Sequence, residues 1–223
     1  MTWLLALPAL LALPVLFAAG LATATPAVLR RLPAPVDEPE SDPYRPLATS
    51  GTALAVFLLA ALAGTLVTVT APAQALGWLG LTGPGLLAAV VDARTGFLPA
   101  RLAQASWLLT GAGLLVSATW SGAEMLLRAG LGGLAAGALF WVFWRFGGGF
   151  GFGDVRLAPV IGATTAAMGW PMLLAALLLG GLLGAGWGVI WRALGKGRSF
   201  PYGPALVAGP YLALLANATV SAQ

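Results

Sequence analysis

The feature that most constrains this chain is a regular series of long apolar stretches that contain almost no charged residues. Each stretch approaches the roughly 20 residues that a helix needs to cross the hydrocarbon core of a bilayer. Only 8% of all residues are charged, whereas a soluble domain has about 25%. A helix satisfies its backbone hydrogen bonds within one segment, as lipid demands. The sequence therefore predicts an all-α, polytopic membrane protein.

The apolar stretches predict about eight transmembrane helices in one transmembrane domain, residues 1–223. The sixth stretch is short for a full crossing, so it is expected to tilt, to thin the bilayer locally or to be re-entrant. Segment 26–49 holds six Pro and four of the seven acids and is predicted to be a short, mobile cytoplasmic loop. The predicted helices are 3–22, 52–70, 76–91, 102–119, 125–144, 155–168, 171–190 and 204–218.

The basic residues orient this arrangement. If the N-terminus lies outside, every Lys and Arg except Arg128 falls on the cytoplasmic side, as the positive-inside rule requires. Both termini are therefore predicted to lie outside. The net charge of +4 indicates loops that face an anionic leaflet and not a nucleic-acid partner.

The chain contains no His and no Cys. This excludes thiolate nucleophiles, zinc fingers and Ser-His or Cys-His catalytic arrangements. We expect no metal site and no cofactor. Acid–base chemistry, if the protein is an enzyme, must come from carboxylates or from the single Lys.

Three acids remain near the apolar segments, where ionisable groups are costly and indicate function. Glu124 stands four residues before Arg128 and is expected to form an ordinary ion pair on one helical turn. Asp92 and Asp154 both fall at predicted cytoplasmic helix ends. Each of them could instead cap a helix or pair with the nearby Arg94 or Arg156, and the sequence leaves those alternatives open.

Two aspartates brought together from separate helices can act as an acid–base pair. Like charges at close range separate the two pKa values, so one carboxylate can activate water while the protonated one polarises a carbonyl. The glycine run before Asp154 has neither a following Lys-Ser nor GxGxxG spacing, which excludes a phosphate cradle. Glycines there would let an extended substrate backbone approach the carboxylate.

Three ordered segments resemble motifs of the type IV prepilin peptidases. Gly151 to Leu157 is similar to their GxGD motif, with Arg156 where Lys is common. Asp92 to Pro99, which includes Arg94, resembles their first-aspartate motif, although Ala100 replaces the usual Asn. The segment Phe200 to Pro204 is similar to the entry of their last helix. The resemblance covers about residues 80–215, the expected peptidase core.

The resemblance implies a membrane-embedded aspartic endopeptidase of the bacterial inner membrane that removes the basic leader of type IV prepilin or pseudopilin-like proteins at the cytoplasmic face. Asp92 and Asp154 would be catalytic, and the residues expected to support substrate binding or the motifs are Gly151, Gly153, Arg94, Pro99, Arg156, Pro201, Gly203 and Pro204. Larger relatives carry cysteine-containing cytoplasmic segments linked to N-methylation. The short loop here has no Cys, so methyltransferase activity is not expected.

Two other functions remain as alternatives. One is a presenilin-like GxGD intramembrane protease, because 204–206 reads Pro-Ala-Leu, although Val91 replaces the Tyr of that family. The other is a non-enzymatic channel or transporter that uses the aspartates for cations. Glycines four residues apart, as at Gly180, Gly184 and Gly188, are expected to permit close helix packing, and a homodimer through such a face is left open.

Overall fold

The computed structural model describes residues 3–35, 40–147, 151–195 and 200–221, with side chains from residue 12 to residue 219 of these ranges. Within them the chain is helical and contains no strand. Several residues that the sequence analysis singled out lie outside the described part, namely Asp37, Glu38, Gly148, Gly149, Phe150, Lys196 and Arg198.

Eight α-helices follow the predicted apolar stretches in order. They are α1 (Trp3–Arg31), α2 (Ser50–Thr70), α3 (Leu86–Thr95), α4 (Ala100–Ser121), α5 (Ala123–Gly147), α6 (Phe152–Ala166), α7 (Trp170–Ala193) and α8 (Gly203–Ser221). Within the described residues, five are long and apolar enough to span a bilayer, or six if a bent segment that ends in α3 is included. An all-α, polytopic membrane protein is confirmed, but the count of eight spans is not.

The short sixth stretch forms α6, which has 15 residues. At 1.5 Å of rise per residue this helix is about 22 Å long, less than the roughly 30 Å of a hydrocarbon core. The expectation of a short helix at this position is confirmed.

The third predicted helix, 76–91, is not a single regular α-helix. A 3-10 helix (Pro72–Trp78) is followed, after a bend of 57°, by the helical segment Leu81–Thr95, which begins with a π-helical turn (Leu81–Gly85) and continues as α3. Pro84 lies in the π-helical turn, and proline removes a backbone donor and clashes with the carbonyl of the preceding turn. Thr82 in this turn is hydrogen-bonded to the Tyr211 hydroxyl at 3.0 Å.

The loop between α1 and α2 is shorter than the predicted 26–49, because α1 continues to Arg31. Its C-terminal part is packed and not free: Tyr44 is only 2% exposed and clusters with Leu29, Val91 and Leu102. Thr49 then caps α2 by accepting a hydrogen bond from the Thr52 amide at 3.2 Å. The loop therefore lies against the C-terminal end of α3.

The glycines of the repeats pack against other helices of the same chain. On α5, a Cβ on Gly133 would lie 3.1 Å from the Pro159 carbonyl oxygen of α6, and a Cβ on Gly137 would lie 2.9 Å from the Pro159 Cγ. On α7, Gly180 faces the backbone of α8, and the two later members of the repeat face aromatic rings. The packing role predicted for these glycines is confirmed. In the described residues, neither repeat leaves a free helix face through which two copies of the chain could form the homodimer that the sequence left open.

The pairs α5–α6 and α7–α8 are antiparallel, because residues later in the first helix contact residues earlier in the second. Basic residues occur in the last turns of α1, α3, α5 and α7. At the opposite end, Trp120 donates a hydrogen bond to the carbonyl of Ala73 at 2.8 Å. Asp92 and Asp154 both lie at the basic end of the bundle, which is the end predicted to be cytoplasmic.

Candidate active site

Asp92 lies in the last turn of α3 and is only 5% exposed. The helix ends three residues later, at Thr95: Gly96 adopts a left-handed conformation (φ 72°) and its amide donates to the Asp92 carbonyl at 2.8 Å. The carboxylate accepts a hydrogen bond from the Gly203 amide, 2.8 Å from Oδ2. Gly203 begins α8, so the positive end of that helix dipole faces the Asp92 carboxylate.

Asp154 is the third residue of α6 and is 6% exposed. Its Oδ2 accepts a hydrogen bond from the amide of Gly151, the residue that precedes the helix, at 3.2 Å. An acidic side chain in the first turn also interacts favourably with the helix dipole. The capping role that the sequence left open for Asp154 is therefore present, and it holds the carboxylate at one end of α6.

The fold brings the two aspartates together although they are far apart in sequence. Asp92 accepts its hydrogen bond from Gly203 at the start of α8, and Gly153, the neighbour of Asp154, packs against Leu98 in the connection that follows α3. Asp92, Asp154 and Tyr202 are all buried, at the ends of α3, α6 and α8 that these contacts bring together. Within the described residues, no set of three or more potential metal ligands surrounds this pair.

Close packing of the α3–α4 connection against α6 explains one glycine of the GxGD segment. A Cβ atom on Gly153 would lie 2.6 Å from the Cβ of Leu98, well inside normal contact distance. A Cβ on Gly151 would meet nothing closer than the Asp154 Oδ2 at 3.7 Å. Pro99 is buried at the start of α4, and its carbonyl accepts from the Leu102 amide at 3.1 Å. Of the two glycines in the GxGD segment, only Gly153 is required for steric reasons.

The two arginines of the motifs do not neutralise the aspartates. Arg94 is exposed, and in the described part of the chain neither it nor Arg156 forms an ion pair with Asp92 or Asp154. The guanidinium of Arg156 instead stacks over the Phe152 ring, 4.7 Å from its centroid. The alternative in which these aspartates serve as partners of nearby arginines is wrong for the described structure.

Glu124 lies at the other end of the molecule and pairs with Arg128 one turn along α5. The Glu124 side chain is 79% exposed. The predicted ordinary ion pair is confirmed.

The segment Phe200 to Pro204 contributes backbone atoms and the Tyr202 ring to the site. Pro201 and Gly203 are buried, while Pro204 is partly buried in the first turn of α8. A Cβ on Gly203 would lie 2.8 Å from the Asp92 Oδ2, so glycine is needed for the close approach of the two helices. Tyr202 was not among the predicted site residues. Its place inside the last motif was the signal that could have identified it.

A wide apolar groove of about 600 Å³ lies between α4, α5 and α6. Phe152, Arg156 and Pro159 line it on the α6 side, and neither aspartate does. Successive residues of a helix are rotated by about 100°, which places these positions on the side of α6 away from Asp154. The groove is therefore separate from the buried carboxylates.

Comparison with known proteins finds similar sequences for the region that holds both aspartates. Residues 81–189 match the model of the Type IV leader peptidase family. A prepilin leader peptidase/N-methyltransferase of Burkholderia pseudomallei is 35% identical over 157 residues, which are 66% of this chain and 48% of the relative. Proteins of the same name from Pseudomonas aeruginosa and Aeromonas salmonicida are 36% and 33% identical over 97 residues, covering 41% of this chain and 32% of each relative.

The chain thus spans about half the length of the first curated relative that it matches, 48%. The region matched by the family model contains both aspartates and ends before the last motif. No solved structure matches the chain.

Proposed function

Because residues 81–189 match the model of the Type IV leader peptidase family, we propose that this chain is a membrane-embedded aspartic endopeptidase that removes the leader of type IV prepilin or pseudopilin-like proteins. Asp92 and Asp154 are the catalytic pair in this proposal. Cleavage takes place at the cytoplasmic face of the bacterial inner membrane.

The juxtaposition of Asp92 and Asp154 carries the proposal. Each is almost fully buried, each is held by a single backbone amide, and neither is neutralised by an arginine in the described residues. Two buried carboxylates that interact favour a state in which one is ionised and the other retains its proton. That state supplies a base and an acid in the same place.

The proposed reaction follows from those two states. The ionised carboxylate takes a proton from water while the water oxygen attacks the carbonyl carbon of the scissile peptide bond. The protonated carboxyl gives its proton to the carbonyl oxygen, which forms a neutral tetrahedral intermediate. The intermediate collapses by breaking its C–N bond, the leaving amine takes a proton from the carboxyl that had accepted one, and the other carboxylate recovers its proton from the intermediate's hydroxyl.

The position of the pair suits a substrate with an apolar helix and a basic leader. Both aspartates lie at the basic end of the bundle, which is the end predicted to be cytoplasmic. If the apolar segment of a substrate lies in the bilayer, the bond that joins this segment to the leader is then at the same depth as the two carboxylates. This placement is part of the proposal, as are prepilin-like proteins as the substrates. The alternative of a presenilin-like protease gains no support from the family model that matches, which describes leader peptidases.

The test is to co-express the chain with candidate prepilins in a strain that lacks other prepilin peptidases and to follow leader removal by the mass of the pilin. Wild-type protein is expected to cleave, whereas Asp92→Asn and Asp154→Asn are each expected to abolish cleavage while the protein remains inserted. Glu124→Gln removes a carboxylate far from the pair and is the matched control, with wild-type processing expected. Near-normal cleavage by either Asn variant would overturn the assignment of the pair.

A further inference from the structure

We propose that Tyr202 is a positioning residue for the Asp92 carboxylate and that Gly184 of α7 provides the space its ring requires. This inference rests on the proposed function, because it assigns a role within the Asp92 and Asp154 site. The packing of the aromatic ring carries this role.

The Tyr202 ring is held on three sides. It is 8% exposed, its centroid lies 6.2 Å from that of Phe140 on α5, and the Phe200 ring packs against it edge-on at 6.0 Å. Gly184 lies directly beneath it: a Cβ there would overlap the Tyr202 Cε2 and lie 2.7 Å from Cδ2. Any side chain larger than hydrogen at position 184 must therefore displace the ring. Gly188, one turn further along, seats Phe200 in the same way, with a Cβ contact of 3.1 Å.

The backbone connects this ring to the carboxylate within one residue. The Tyr202 carbonyl accepts a hydrogen bond from the Leu206 amide at 3.1 Å and so opens the first turn of α8. The next residue, Gly203, donates its amide to the Asp92 Oδ2 at 2.8 Å. The direction of that amide is set by the chain as it leaves Tyr202. A displaced ring thus rotates or withdraws the hydrogen bond that orients Asp92.

Tyr202 directly precedes Gly203, whose amide binds Asp92. Its ring packs against Phe140 of α5 and over Gly184 of α7, so these contacts fix the start of α8 relative to both helices. In this arrangement Gly184 and Gly188 of α7 provide the space in which the Tyr202 and Phe200 rings pack beside the site.

The experiment measures kcat and KM for cleavage of a full-length prepilin by purified enzyme in liposomes, with rates expressed per folded, monodisperse molecule. Gly184→Ala and Tyr202→Ala are each expected to lower kcat by about 100-fold, the effect of an ångström-scale misplacement of a reacting group, with KM unchanged. Tyr202→Phe keeps the ring and is expected to retain wild-type kcat. Gly181→Ala and Gly186→Ala are matched controls on the same helix, since a Cβ at either position meets no atom within 4 Å.

A double-mutant cycle separates positioning from general destabilisation. If Gly184 acts only by making room for the ring, Gly184→Ala has no further effect on kcat once Tyr202 is Ala. Tyr202→Leu replaces Tyr202→Ala in the cycle if the alanine variant gives no folded fraction. Independent losses that multiply in the double variant would refute the positioning role, and so would equal losses in Tyr202→Phe and Tyr202→Ala.

The outcomes distinguish this inference from the function on which it rests. If the wild-type chain cleaves no prepilin, both the proposed function and this inference are refuted. An active wild-type chain whose Gly184→Ala variant keeps the wild-type kcat overturns this inference alone.

Discussion

Gly153→Ala is expected to reduce cleavage strongly because the site contains no room for the added methyl group. The new Cβ would lie 2.6 Å from the Leu98 Cβ, about 0.8 Å inside the closest ordinary carbon–carbon contact of roughly 3.4 Å. Overpacking of this kind costs about 1–3 kcal/mol of stability. If the N-terminal turn of α6 moves by that distance, Asp154 moves with it, and a misplacement near 1 Å lowers the rate by about 100-fold.

The assay compares initial rates of leader removal by purified, folded variants at equal enzyme concentration. Gly130→Ala is the control, because a Cβ there meets nothing within 4 Å. Leu98→Gly removes the clashing Cβ, so the double variant Gly153→Ala/Leu98→Gly is expected to recover part of the rate. Wild-type activity of Gly153→Ala would show that the 97–99 connection yields instead of α6, and it would refute the claim that this contact fixes Asp154.

Three further predictions follow from the site and its surroundings. The Cβ added by Gly151→Ala would have no neighbour closer than 3.7 Å, so thermal unfolding is expected to show a loss of less than about 1 kcal/mol in the free energy of unfolding. A loss of cleavage in a stable Gly151→Ala protein would instead mean that the substrate approaches this glycine. Ala93→Cys, at an exposed position, is expected to react with an impermeant thiol reagent only after cells are opened, and labelling in intact cells would reverse the topology. Mass spectrometry of a mature pilin processed solely by this chain is expected to show a free N-terminal amine; an N-methylated product would place a second activity in the chain.

The sequence predicted the helices well where apolarity was uninterrupted. The spans predicted at 52–70, 102–119, 125–144 and 171–190 lie within α2, α4, α5 and α7, each of which extends them by at most three residues at either end. It was less accurate at 76–91, where an equally apolar run bends by 57° between Trp78 and Leu81 and contains a π-helical turn around Pro84. Hydropathy measures transfer into lipid and does not register a missing backbone donor.

The candidate site was predicted in its residues but not in its contacts. Asp92 and Asp154 stood out because charged groups are rare in such a chain. The hydrogen bond from Gly203 to Asp92 joins residues 111 positions apart, and no local pattern encodes a contact of that separation. For the same reason the sequence could not distinguish Gly153, which has a neighbour at 2.6 Å, from Gly151, which has none so close. The role of Tyr202 likewise depends on rings supplied by other helices.

The bond from Gly203 to Asp92 also determines when during synthesis the site is complete. Asp92 and Asp154 leave the ribosome well before α8, and the amide that orients Asp92 belongs to the first residue of that last helix. A chain still being inserted into the membrane therefore holds both carboxylates without the donor that aligns one of them. The site is complete only once α8 is inserted, so a protein truncated before residue 203 carries the two acids without the amide that orients Asp92.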